Sequence, residues 1–175
     1  MFKQKSMLKY ELTSTIFIMI LGVIFHFIYE WTNNNVIVAL FSPVNESIWE
    51  HLKLLYFPMI LTIIIGYFYN GKNYKNYICA KTLGIIISMI FTVVAYYTYS
   101  GAIGKNIDII NILLFFVSVI LGQYIAIRNI MLEKDCNKTK SIIVLIIIGL
   151  LFIFFTFNPP NIGIFKDPIT GLFGI

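Results

Sequence analysis

Apolar residues in this chain come in long runs separated by short polar intervals. A helix rises about 1.5 Å per residue, and hydrocarbon about 30 Å thick needs roughly 20 apolar residues to cross. Five runs reach that scale, and the pattern predicts helices over 12–31, 48–69, 78–99, 107–127 and 142–157. The implied fold class is an all-α membrane protein. It is a bundle of five transmembrane helices in one domain over 1–175, followed by a tail at 158–175. The fifth run is the most uniformly apolar, with no strong polar side chain before Asn158, so part of it is expected to face lipid. In the third, Ala80, Gly84 and Ser88 recur every fourth residue, a ridge suited to close helix packing.

Composition agrees: 59% of residues are hydrophobic, 12% are charged, and the mean hydropathy is +0.86. Soluble domains carry about 45–50% apolar and about 25% charged residues, so one soluble core of this size cannot hide this chain. Disordered and disulfide-scaffold classes fall on the same numbers. Isoleucine fills 35 positions and lysine outnumbers arginine twelve to one. That is the bias of an AT-rich bacterial genome, so isoleucine abundance is not evidence for strands. The first run follows Lys3, Lys5 and Lys9 as a signal peptide would, but it is too long and lacks a small-x-small cleavage site at Glu30-Trp31-Thr32-Asn33. It is read as a retained helix.

A net charge of +5 raises the question of a nucleic-acid partner. The distribution answers it, because the cations sit where a membrane protein needs them. With the N-terminus in the cytoplasm, Lys3, Lys5, Lys9, Lys72, Lys75, Lys81, Arg128, Lys134, Lys138 and Lys140 lie inside, against Lys105 and Lys166 outside. The lipid bilayer is therefore the expected partner, in a bacterial plasma membrane, and no nucleic acid is. Tyr67, Tyr69, Tyr74, Tyr77 and Tyr124 are placed at the inner interface; Tyr29, Trp31, Trp49, Tyr96, Tyr97 and Tyr99 at the outer one. Cys79 and Cys136 fall on the reducing side, so no disulfide is expected.

Ionisable residues inside a bilayer are costly and are functional candidates by default. His26, Glu30, Glu46, Glu50, His51 and Lys53 gather at the outer end of the first two runs, with Asp167 in the outer tail. The cytoplasmic half reads as comparatively plain. His26 and Glu30 are one helical turn apart, and His26 lies roughly 7 Å below the end of its helix. The candidate metal ligands are His26, Glu30, Glu46 and Asp167, around one divalent cation such as zinc. The plainer reading is a His26–Glu30 hydrogen bond that pins the first helix.

The stretch from Ser42 to Lys53 contains two helix starts. Ser42-Pro43 reads as an N-cap followed by proline, and Ser47 to Glu50 matches a capping box. A start at Pro43 would place Glu46, Glu50 and Lys53 within about 60° on one face. Candidate catalytic residues are Glu46, Glu50, His51 and Lys53, with Glu50 as base and Lys53 or His51 positioning an anion. A simple Glu–Lys pair competes with that role. In the tail, Asp167-Pro168-Ile169-Thr170-Gly171 has turn chemistry, with Asp167 able to bond the backbone two residues on. Its apolar neighbours predict a segment folded back over the outer helix ends, with Asp167 near the histidines.

The strings Phe25-His26-Phe27-Ile28-Tyr29-Glu30-Trp31, Asn45-Glu46-Ser47-Ile48-Trp49-Glu50-His51-Leu52-Lys53 and Pro159-Pro160 through Asp167-Pro168-Ile169-Thr170-Gly171 resemble a family of small bacterial integral membrane proteins known only as a domain of unknown function. The resemblance spans essentially the whole chain. It implies a multi-pass membrane protein and no activity. From the residues, three functions compete. One is a metal-dependent membrane hydrolase acting on a lipid or peptide, although Gly-x-Ser-x-Gly, Gly-x-Gly-Asp and His-Glu-x-x-His are absent. Another is a binding or transport component for a cation, an amine or a lipid headgroup, completed by a second copy or a membrane partner. The third is a purely structural polar cluster.

Overall fold

The computed structural model describes residues 2–175, with side chains from residue 4 onward. The side chain of Lys3, counted above among the N-terminal cations, lies outside the described residues. Five long helices run back and forth: α1 (Phe2–Trp31), the second pass formed by α3 (Ile48–His51) and α4 (Lys53–Tyr69), α5 (Tyr77–Ile103), α6 (Asp108–Leu132) and α7 (Lys138–Phe157). A short helix, α2 (Val36–Ala39), lies in the first connection. All five passes are long and apolar enough to cross a membrane. The N-terminus and the α4–α5 and α6–α7 connections lie at one end of the bundle. The α1–α3 loop, the α5–α6 turn and the C-terminal tail lie at the other, called here the tail face.

Most helices outrun their apolar runs. α1 extends back to Phe2, α6 on to Leu132, and α7 begins at Lys138 after an Asn137 N-cap whose side chain accepts from Lys140 N–H. The reason is that polar residues at a membrane surface remain good helix formers once a helix has been nucleated.

α5 and α6 form the closest pair, and the small-residue ridge is where they meet. A methyl on Gly84 would stand 2.6 Å from the Gly122 carbonyl oxygen, and Ser88 Oγ donates to the Ser118 carbonyl at 2.9 Å. The second pass is the most enclosed, with Leu55, Tyr56, Met59 and Ile63 in the core. Pro58 lies inside α4 and deprives the Leu54 carbonyl of its helical donor. That carbonyl faces Gly22 of α1, where a methyl would approach it to 2.9 Å. α7 is the most peripheral pass and buries only Leu145, Phe152 and Thr156.

The tail folds back. Gly163–Phe165 makes a 3-10 turn, and Lys166 bridges antiparallel to Phe173. Phe165 packs against Trp49 with ring centroids 4.9 Å apart and the planes tilted by 41°, and Asn45 Nδ2 donates to the Gly174 carbonyl at 2.9 Å.

Three sequence expectations are corrected at the N-terminal end. Tyr74 and Tyr77 are fully buried and so present no ring to the lipid headgroups. That half is not plain either: Lys81, 2% exposed, bonds Glu11 Oε2 at 2.6 Å and Gln123 Oε1 at 2.7 Å. Lys81 therefore leaves the tally of surface cations. Lastly, Cys79 and Cys136 form a disulfide, with Cα atoms 6.5 Å apart. The start of α5 and the α6–α7 loop are neighbours at one end of the bundle, a proximity that sequence distance conceals.

Candidate functional site

Of the two possible helix starts, the chain uses the second. Residues 43–47 are non-helical, and Ser47 caps α3 by accepting from Glu50 N–H. This separates the residues that a start at Pro43 would have aligned. Glu46 stays in the loop, while Glu50 and His51 enter the helix on different faces.

His51 turns toward α1, where its ring meets that of His26 at 5.2 Å between centroids. Its Nδ1 lies 3.0 Å from the Ser47 carbonyl, which can only accept, so Nδ1 carries the proton. Its Nε2 faces Glu46 Oε2 at 3.4 Å, an ion pair when the ring is protonated and two converging donors for a cation when it is neutral. One ligand atom each from His26, Glu46 and His51 lie within 4.8 Å of one another, all partly exposed. His26 Nδ1 is buried without a hydrogen-bond partner. The His51 contact comes first among the causes that hold the Glu46 carboxyl below its ordinary value, against burial, which raises it.

Glu50 and Lys53 form a separate unit behind this triad. Lys53 is fully buried and Glu50 is 2% exposed. The Lys53 ammonium donates to Glu50 Oε2 at 2.6 Å, Thr156 Oγ1 at 2.6 Å, the Ala39 carbonyl at 2.8 Å and the Ser42 carbonyl at 3.3 Å. Glu50 also accepts from Val44 N–H at 3.1 Å. Together the pair gathers the segment from Ala39 to Val44, which delivers Glu46 to His51. Thr156, the partner from α7, was missed in the sequence because it stands within an apolar run; an isolated hydroxyl in such a run was the available signal. Gln123 and Glu11 escape the sequence reading too, because Gln123 is a lone amide in an apolar run and Glu11 falls one residue before the predicted first span.

Glu30 and Asp167 do not join the triad. Glu30 is exposed at the end of α1, since a residue one turn above His26 is carried past the loop. Asp167 spends its carboxylate mainly on its own turn, accepting from Ile169 N–H at 2.7 Å and Thr170 N–H at 3.2 Å, with a further backbone contact to Glu46. Burial opposes its ionisation, and those donors outweigh it and hold the carboxyl below its ordinary value.

Cavities open on both sides of the triad. A polar one of about 310 Å³ is lined by Glu30, Glu46 and Asp167 together with His26. An apolar one of about 220 Å³ lies between α1 and α6, against Val23, Phe27, Ile112 and Phe115, with His26 and His51 in its wall. Two imidazoles and a carboxylate with an open side are a donor set that suits a divalent transition metal.

The model of DUF6512, a family of unknown function, matches residues 1–175, and the chain belongs to that family. No curated protein and no solved structure matches it.

Proposed function

As a member of DUF6512 the chain inherits no activity, and from its geometry we propose a divalent-metal site at the membrane surface serving a hydrolase. The observation that carries this reading is the convergence of His26, Glu46 and His51 within 4.8 Å. The orphaned His26 Nδ1 supports it, because a buried ring nitrogen without a partner is costly unless something binds there. His26, Glu46 and His51 would hold such a cation, and the chemistry it would supply is a bound water of lowered pKa.

The chain's own residues supply the remainder. The Ser47 carbonyl fixes the His51 tautomer and aims Nε2 into the site, as a supporting hydrogen bond does for metal-ligating histidines. Glu46 contributes a negative charge that offsets part of the cation's. Glu50 and Lys53, sealed from the cavities, are positioning residues that hold the loop bearing Glu46.

Metal content of the purified full chain tests the reading. Zinc-supplemented wild type, prepared without chelator, should carry about one equivalent. His26→Ala and His51→Ala should lose it while remaining folded, and Glu30→Gln and Asp167→Asn should keep it. A folded wild-type protein without metal overturns the proposal.

A further inference from the structure

The triad lies between two cavities of opposite character, and His26 lines both. The apolar cavity borders Val23, Phe27 and Ile112, all exposed on helices long enough to cross the bilayer. His26 is five residues from the end of α1, so the triad lies roughly 7 Å below it. The polar layer on each side of the hydrocarbon core is about 5–8 Å deep. The triad is therefore at the depth where an acyl chain joins its polar head.

We infer that the substrate is a single-chain amphiphile: an acyl chain in the α1–α6 cavity, its ester or amide carbonyl at His26, Glu46 and His51, and its head in the polar cavity. This rests on the hydrolase reading above. The occupant of the apolar cavity is an alkyl chain and not a peptide. A peptide would bring backbone N–H and C=O groups into walls whose polar residues are His26, His51 and Asn111. The head is neutral or amine-bearing, because the polar cavity presents Glu30, Glu46 and Asp167 and no lysine or arginine. In the ester case, the oxygen of one water bonds to the carbonyl carbon and the bond to the alcohol oxygen breaks. The departing oxygen takes one proton, the other is released to solvent, and the products are a carboxylate and an alcohol.

Photolabelling separates the substrate class from the metal reading. The full chain in phosphatidylcholine nanodiscs is irradiated with a monoacylglycerol bearing a diazirine on its chain, and the adducts are mapped by mass spectrometry. Adducts should concentrate on Val23, Ile112 and Phe115, and excess unlabelled monoacylglycerol should reduce them at least fivefold. Ile112→Trp, which fills the cavity from a half-exposed position, should reduce labelling by a similar factor with bound zinc unchanged. A diazirine lysophosphatidic acid, whose head is anionic, should label the cavity at least fivefold less. Adducts spread evenly over the lipid-facing helices, insensitivity to Ile112→Trp, or equal labelling by the anionic probe overturns the inference and leaves the metal site standing. Competed labelling of a zinc-free wild type supports the chain-binding cavity and removes the hydrolase.

Discussion

His26 is an expensive residue where it stands, among Ile24, Phe25, Phe27 and Ile28 of a membrane-spanning helix. A protein keeps such a residue when a partner offsets the cost. Its polar neighbours include His51 from the second pass and Glu46 from the loop that precedes it. Lys53 illustrates the opposite case, a buried charge whose partners are already present. Removing one member of a buried pair strands the other, at about 3–5 kcal/mol. Lys53→Met should therefore lower stability by about that amount in denaturant titrations in detergent. The double variant Glu50→Met with Lys53→Met should recover most of the loss, because no charge is then left alone. A Lys53→Met protein that is fully stable and still holds its metal would contradict the positioning role.

At the scale of elements, close approach of helices depends on absent side chains. At Gly84 a methyl would stand 2.6 Å from a backbone oxygen, which cannot rotate away. Gly84→Leu should push α5 from α6 and cost at least the 1–3 kcal/mol typical of overpacking, measured as a lowered unfolding midpoint. The tail is held differently, by the Asp167 turn and by Phe165 on Trp49. The Asp167 carboxyl is depressed below its ordinary 3.8 in the folded chain. Its stabilisation is complete above about pH 4 and lost as pH falls through the lower folded value. Glu46 behaves with the same sign from its ordinary 4.5. Trp49 fluorescence should thus report tail release on acidification, and Asp167→Asn should loosen the tail at neutral pH and remove its part of the transition. A Trp49 signal identical in wild type and Asp167→Asn from pH 3 to 7 would assign the acid response elsewhere.

For the whole molecule, the two ends of the bundle each contain a buried charge pair, Glu50–Lys53 and Glu11–Lys81. Each ties at least two passes together, so the helices are joined by polar contacts where lipid supplies little hydrophobic drive. The cations that remain on the surface are still concentrated at the N-terminal end, which supports a cytoplasmic N-terminus as a proposal. The Cys79–Cys136 bond lies at that same end, and thiols in the cytoplasm are held reduced. With this orientation, cells lysed directly into an alkylating agent should yield both cysteines alkylated, and air oxidation should then join them without altering the fold. A bond present at the moment of lysis would place the N-terminus on the oxidising side.

The five passes were legible because spanning a bilayer is a local requirement: each helix must be long and apolar regardless of its neighbours. The Ala80–Gly84–Ser88 ridge, the Asp167 turn and the Ser47 cap were legible for the same reason, since each is decided within a few residues. Partners across the chain were not. The sequence places His26 with Glu30, Glu46 and Asp167 around a cation; the structure brings Glu46 and His51 to it and leaves the other two outside the group. Lys81 has the sequence position of a surface cation, yet it is buried against Glu11, seventy positions away. Cys79 and Cys136, 57 residues apart, give no sign of pairing in the sequence and are bonded. Length and hydropathy act along one helix and are written in order. Pairing of charges, imidazoles and thiols depends on how the helices rotate against one another, which the packing of the complete bundle alone decides.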